Sequence, residues 1–153
     1  MHLNYLTDYL YRSPENELSY VTEVSARVGV VKLFPGINFN LYRQVFDLEH
    51  TDAVIIETYG AGNAPKDDIM IEIVSEYIKR GGIVLNITQC SSGSVQQGLY
   101  KSSSTFSRIG VLSGGDMTME AAVTKLMICV DPENIEGSIV KVLNNLRGER
   151  SDL

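Results

Sequence analysis

Between residues 28 and 112 the chain alternates solid apolar runs with stretches in which apolar positions recur every three or four residues. Residues 28–34 (VGVVKLF), 53–56 (AVII) and 83–87 (IVLNI) are short and mostly β-branched or aliphatic, which is the pattern of parallel strands buried on both faces. Pro35 and Gly36 stop the first run, and Val111 and Leu112 begin a fourth, shorter one. Leu41, Val45 and Leu48 recur at helical spacing and predict a helix over about 38–48. A second helix is delimited by Pro65 at a first helical position, Asp67 and Asp68 in the first turn, and Lys79 and Arg80 before Gly81 and Gly82. Its inward stripe is Met70, Ile73, Val74, Tyr77 and Ile78. The Ser- and Gly-rich residues 91–104 read as a long loop leading to a short helix near 105–109. Two helices close the chain. One starts near Met117 with Asp116 as its cap and buries Met119, Val123, Leu126 and Met127; the other starts at Pro132, capped by Asp131, and buries Ile135, Ile139, Leu143 and Leu146.

Strands alternating with helices imply βαβ crossovers, hence an α/β three-layer sandwich: a Rossmann-like parallel sheet of about four strands with helices on both faces. Residues 1–26 do not share this periodicity; polar and tyrosine-rich, with Pro14, Glu15 and Glu17, they read as a linker or the trailing edge of a preceding domain, leaving 27–153 as the folded domain.

Composition narrows the partners. A chain of 153 residues fits one domain, and 44% apolar with 21% charged residues is ordinary for a globular protein that builds its own core. The 13 Lys and Arg stand against 19 Asp and Glu, a formal charge of −6, which disfavours a nucleic-acid backbone as partner. Cys90 and Cys129 lack CxxC spacing and read as reduced thiols of a cytoplasmic protein. There is no run of about 18 apolar residues, and the first twenty residues have neither a basic start nor an apolar core, so neither a membrane span nor a secretion signal is expected.

Ligands of parallel sheets bind beyond the carboxyl ends of the strands, which places residues 34–36, 57–63 and 88–91 along one edge. Gly60 and Gly62 invite comparison with a phosphate loop, but Pro65 stands where the third glycine of a dinucleotide fingerprint belongs, so no cofactor is expected and a tight turn at positive φ accounts for both. Asn63, just before the helix, reads as a cap rather than a ligand. Cys90 follows a strand as a nucleophile would, yet His2 lies in the polar start and His50 near the opposite edge, leaving it without a base; a small buried or half-buried thiol is the plainer reading. Ser94 and Ser113 have no G-x-S-x-G elbow, and Glu57, Asp67, Asp68 and Asp116 are not spaced with His as metal ligands. Asp67 and Asp68 suit the helix dipole, whereas Glu57, a charge at the end of a buried strand, calls for a partner or a site.

Residues 30–38 (VVKLFPGIN), 57–65 (ETYGAGNAP), 86–93 (NITQCSSG), 114–126 (GGDMTMEAAVTKL) and 144–149 (NNLRGE) resemble, in order and spacing, the C-terminal half of bacterial cytoplasmic (type I) L-asparaginases. The resemblance covers about residues 28–149. It implies a two-domain amidohydrolase, without metal or cofactor, that converts asparagine to aspartate and ammonia. Its nucleophilic Thr, a Thr-Asp pair and a Lys would sit in a missing N-terminal catalytic domain; Thr51-Asp52 precedes its strand and lies at the wrong end, so this chain alone should be inactive. By the same resemblance Asn63, with Tyr59 and Gly62 in the YGxGN loop, would steady the active site, and Thr88 and Cys90 would help form an allosteric asparagine site. Glu57 stands where regulated members carry an Arg that pairs with the effector carboxylate, and would repel that group. The implied assembly is a homodimer or a dimer of dimers. The alternatives are the asparaginase-like subunit of a tRNA-dependent amidotransferase and a non-catalytic ligand-binding or interaction module.

Overall fold

The computed structural model describes residues 24–96, 101–146 and 148–150, and of 101–104 the backbone path alone. Strands β1 (Val28–Lys32), β2 (Ala53–Thr58), β3 (Ile83–Thr88) and β4 (Leu112–Ser113) form a parallel sheet in the order β1-β2-β3-β4. Each strand is laid down beside the one before it and always in the same direction, so connections of one hand must all pass over one face. Those connections carry a 3₁₀ helix (Phe39–Phe46), α1 (Asp68–Lys79) and α2 (Lys101–Ile109). After β4 the chain crosses to the opposite face with α3 (Met119–Cys129) and α4 (Ile135–Leu143).

Two cores result. On the first face Val31, Leu33, Val54, Ile56 and Val84 meet Phe39, Phe46, Met70, Ile73, Val74, Tyr77 and Phe106; on the second, Ala53, Ile55, Ile83, Leu85 and Ile87 meet Met117, Ala122, Leu126, Cys129 and Val142. Successive residues of β2 and β3 feed alternate cores, which is why both strands read as unbroken apolar runs. Each fully buried Ile or Leu adds about 1.5–3 kcal/mol by leaving water. The three-layer α/β architecture expected from the sequence is present.

The structure departs from the sequence reading at several places. β1 is an edge strand that ends at Lys32, and Val30 is 44% exposed rather than covered on both faces. The segment expected as a helix over 38–48 is 3₁₀; Phe39 and Phe46 enter the core, Leu41 is 79% exposed, and Val45 and Leu48 only flank it. Helix α1 opens at Asp68, not Pro65, with the Asp67 carboxylate accepting from the Met70 amide at 3.0 Å, so Asp67 and not Asn63 is its cap. Thr118 rather than Asp116 caps α3, and Asn134 rather than Asp131 caps α4. Leu143 of the expected α4 stripe is exposed, its place taken by Ser138 and Val142. Residues 1–23, including His2, and residues 97–100 lie outside the described residues; Ala26 is buried in the second core.

Candidate functional site

At the carboxyl edge of the sheet Gln89 joins three strand ends. Its side-chain amide donates to Leu33 O at 2.6 Å and to Glu57 O at 2.8 Å, while its backbone N–H donates to Thr58 O at 2.9 Å. Beyond β2, loop 59–63 closes on itself: the Tyr59 amide donates to Asn63 O at 2.9 Å and the Asn63 amide returns a bond to Tyr59 O at 2.8 Å. A reversal this tight needs positive φ at Gly60 (48°) and Gly62 (101°). Gly62 is also crowded, since a Cβ there would lie 2.8 Å from the Val95 side chain. Polar residues of β3 hold the loop from below. Thr88 Oγ1 donates to Gly60 O at 2.6 Å, and the buried Asn86 amide reaches Gly62 O at 3.5 Å while accepting from the Thr58 hydroxyl at 2.7 Å. Turn geometry therefore explains both glycines. The Tyr59 ring packs against the first core, and its buried hydroxyl has no hydrogen-bond partner among the described residues.

On the α3 side of the same edge lies an open cleft of about 410 Å³, lined by Glu57, residues 88–93 and residues 116–119. Glu57 belongs to β2, with Lys32 directly beside it on β1, and the two side chains form an ion pair at 3.6 Å. The far wall is the start of α3, where the Thr118 hydroxyl oxygen accepts from the Ala121 amide at 3.3 Å. Glu120 is held below the usual carboxylate range by its own backbone N–H and by the Thr118 hydroxyl. Two acidic residues, Glu57 and Asp116, line this cleft together with residues 88–93. Cys90 corrects the sequence reading: its thiol is exposed, and its amide donates to Thr88 Oγ1 at 3.1 Å. His50 sits in the turn before β2, at the amino edge, so it is no base for Cys90.

The structure thus gathers Glu57, Thr88 and Cys90 in one cleft and sets Tyr59, Gly62 and Asn63 in the neighbouring loop, with the Thr88–Gly60 bond between them. Thr51 and Asp52 lie at the other edge, bonded to Val45 O and to Arg27. Asn86, Gln89 and Thr118 were missed from sequence. For Asn86 a signal existed: it is a polar residue inside the otherwise apolar β3, and a fully buried amide must find partners.

Residues 27–142 match the family described as the Glutaminase/Asparaginase C-terminal domain. The chain belongs to that family. L-asparaginase 1 of Escherichia coli is 39% identical over 123 residues, covering 80% of this chain and 36% of the relative. A crystal structure of L-asparaginase I from Vibrio cholerae superposes with a TM-score of 0.74 at 34% identity, covering 86% of this chain and 40% of that one. A glutamyl-tRNA(Gln) amidotransferase polypeptide of Methanobrevibacter smithii is 32% identical over 136 residues, 88% of this chain and 30% of the relative. This asparaginase-type C-terminal domain therefore spans well under half the length of each of these relatives. No helix among its described residues is long and apolar enough to cross a membrane.

Proposed function

We propose that the chain is the C-terminal part of a cytoplasmic L-asparaginase that hydrolyses asparagine to aspartate and ammonia. In this reading the Thr nucleophile and its partners belong to a separate N-terminal domain, residues 1–26 lead from that domain into this one, and the chain alone is silent. Its contributions are loop 59–63, where Tyr59, Gly62 and Asn63 steady the active site, and the cleft at Glu57, Thr88 and Cys90, which serves regulation. Assembly as a homodimer or a dimer of dimers completes the enzyme.

The observation that carries this reading is the carboxyl edge itself. Loop 59–63 is fixed by its own backbone bonds and by β3, so it can present Asn63 in a defined place, while the described residues offer Cys90 no histidine beside it. Such an edge holds and orients; among the described residues it has no cysteine–histidine pair of its own. Glu57 shapes the ligand preference of the cleft, since a carboxylate already paired with Lys32 repels a carboxylate-bearing effector unless Lys32 turns to it.

The likeness to a glutamyl-tRNA(Gln) amidotransferase polypeptide supports a second reading, in which the ammonia is passed on to a glutamyl-tRNA substrate. The two are separated by assaying ammonia release from free asparagine by the protein joined to its catalytic domain, with and without tRNA and a partner polypeptide. Turnover of free asparagine without tRNA is expected. Ammonia release that requires charged tRNA and a partner would replace the asparaginase reading with the amidotransferase one.

A further inference from the structure

Lys125 is a lysine on the inward side of α3, only 6% exposed, and such a side chain is seldom buried without a partner. Its partners come from the end of the chain: the Lys125 ammonium donates to the Glu149 carboxylate and to Asn144 O. The same Glu149 oxygen accepts from the Leu146 amide at 3.0 Å. Asn145 completes the fold of this segment, accepting from the Gly148 amide at 2.9 Å and donating to Arg150 O at 2.7 Å. Residues 144–146 and 148–150 are thereby drawn back over the domain, and Arg150 is delivered to a fixed place. There its guanidinium donates to Leu143 O at 3.2 Å and reaches Ser113 O at 3.5 Å, with Gly115 (φ 61°) directly against it.

Ser113 and Gly115 begin the segment that becomes the far wall of the cleft. Gly115 O accepts from the Val95 amide at 2.8 Å, Ser113 Oγ donates to Val95 O at 3.1 Å, and the Gly114 amide donates to Asn86 O at 2.8 Å. Residues 116–119 follow at once and line the cleft. We propose that residues 144–146 and 148–150 form a strap in which the Lys125–Glu149 pair anchors Arg150, and Arg150 positions the 113–119 wall of the cleft; all three are positioning residues. A buried ion pair contributes little net stability over an apolar pair, so in this proposal the Lys125–Glu149 pair serves to set the register of the strap. The arrangement gives a joint task to two separate stretches, 114–126 and 144–149. Its consequence for a ligand rests on the reading of the cleft given above; the strap itself does not.

Amide hydrogen exchange of the isolated chain tests the strap. Arg150→Ala removes only a partly exposed cation, and it should speed exchange at Val95, Gly114 and Met117 at least tenfold while leaving Val74 and Tyr77 of α1 unchanged. Arg150→Lys, which keeps one carbonyl contact, should restore part of the protection. Unchanged exchange along the wall, or an equal rise in α1, overturns the proposal. The two ideas fail separately: if the exchange result holds but Glu57→Gln and Cys90→Ala leave the asparagine dependence of the rate unchanged in the chain joined to its catalytic domain, the strap stands and the regulatory reading of the cleft falls.

Discussion

Tyr77 shows how closely one side chain can dictate its neighbours. Its ring meets Phe46 edge-on with centroids 5.8 Å apart, and its hydroxyl donates to Thr51 O at 3.1 Å, where burial pushes the phenol up to about 12. The same ring occupies the space where a side chain at Gly82 would go, since a Cβ there would lie 2.2 Å from it. Gly82 is thus required for room rather than for backbone freedom. Gly82→Ala must displace Tyr77 and should cost about 1–3 kcal/mol as an overpacking change. The urea midpoint checks it, and an unshifted midpoint would mean that the ring moves aside freely. At this scale sequence was informative where chemistry is local, as for the paired glycines of loop 59–63. It was silent where partners are distant: the bonds from Gln89 to Leu33 and Glu57, and from Asn86 to Thr58, join segments that only the folded sheet brings together. Leu41 misled for the opposite reason, because apolar spacing in a 3₁₀ turn does not follow the α-helical period.

Elements are held at both ends of the sheet. At the amino edge Arg27, just before β1, forms a two-pronged bond with Asp52, just before β2, and the Arg27 amide donates to the same carboxylate at 2.7 Å. These donors, the Arg27 guanidinium first among them, hold the Asp52 carboxyl below its usual range. A depressed folded-state pKa means that the contribution is fully present above the unfolded value, roughly 3.9, and is lost as pH falls through the lower folded value. Asp52→Asn should therefore lower the urea midpoint at neutral pH, and the gap to the unsubstituted chain should close in strong acid; a gap independent of pH would show that Asp52 acts through packing alone. The order and type of β2, β3, α1 and the closing helices were legible because their apolar runs are long and ended by Gly, Pro or charge. Helix starts were displaced by a few residues. A cap is the residue whose side chain reaches the second or third amide ahead, and several acids and amides before α1, α3 and α4 could meet that condition on sequence alone.

For the whole molecule the decisive fact is the one-directional strand order. It puts every crossover on one face, leaves α3 and α4 to cover the other, and brings the start of α3 beside the loop after β3, which makes the cleft. Neither the order nor the cleft could be read from periodicity, since a parallel sheet of the same four runs can be wound in other sequences. The motifs of the carboxyl edge were readable as a set, and the family membership agrees with them. The proposed division of labour has this domain orient while a separate domain supplies the chemistry. It is tested most directly by ammonia release from asparagine, measured for this chain alone, for the chain joined to an asparaginase catalytic domain, and for the joined protein carrying Asn63→Ala. A division of this kind predicts no release above the uncatalysed background from the chain alone, turnover from the joined protein, and at least a tenfold lower kcat for Asn63→Ala with its folding midpoint preserved. Turnover by the isolated chain would contradict it, and would place a nucleophile within these 153 residues.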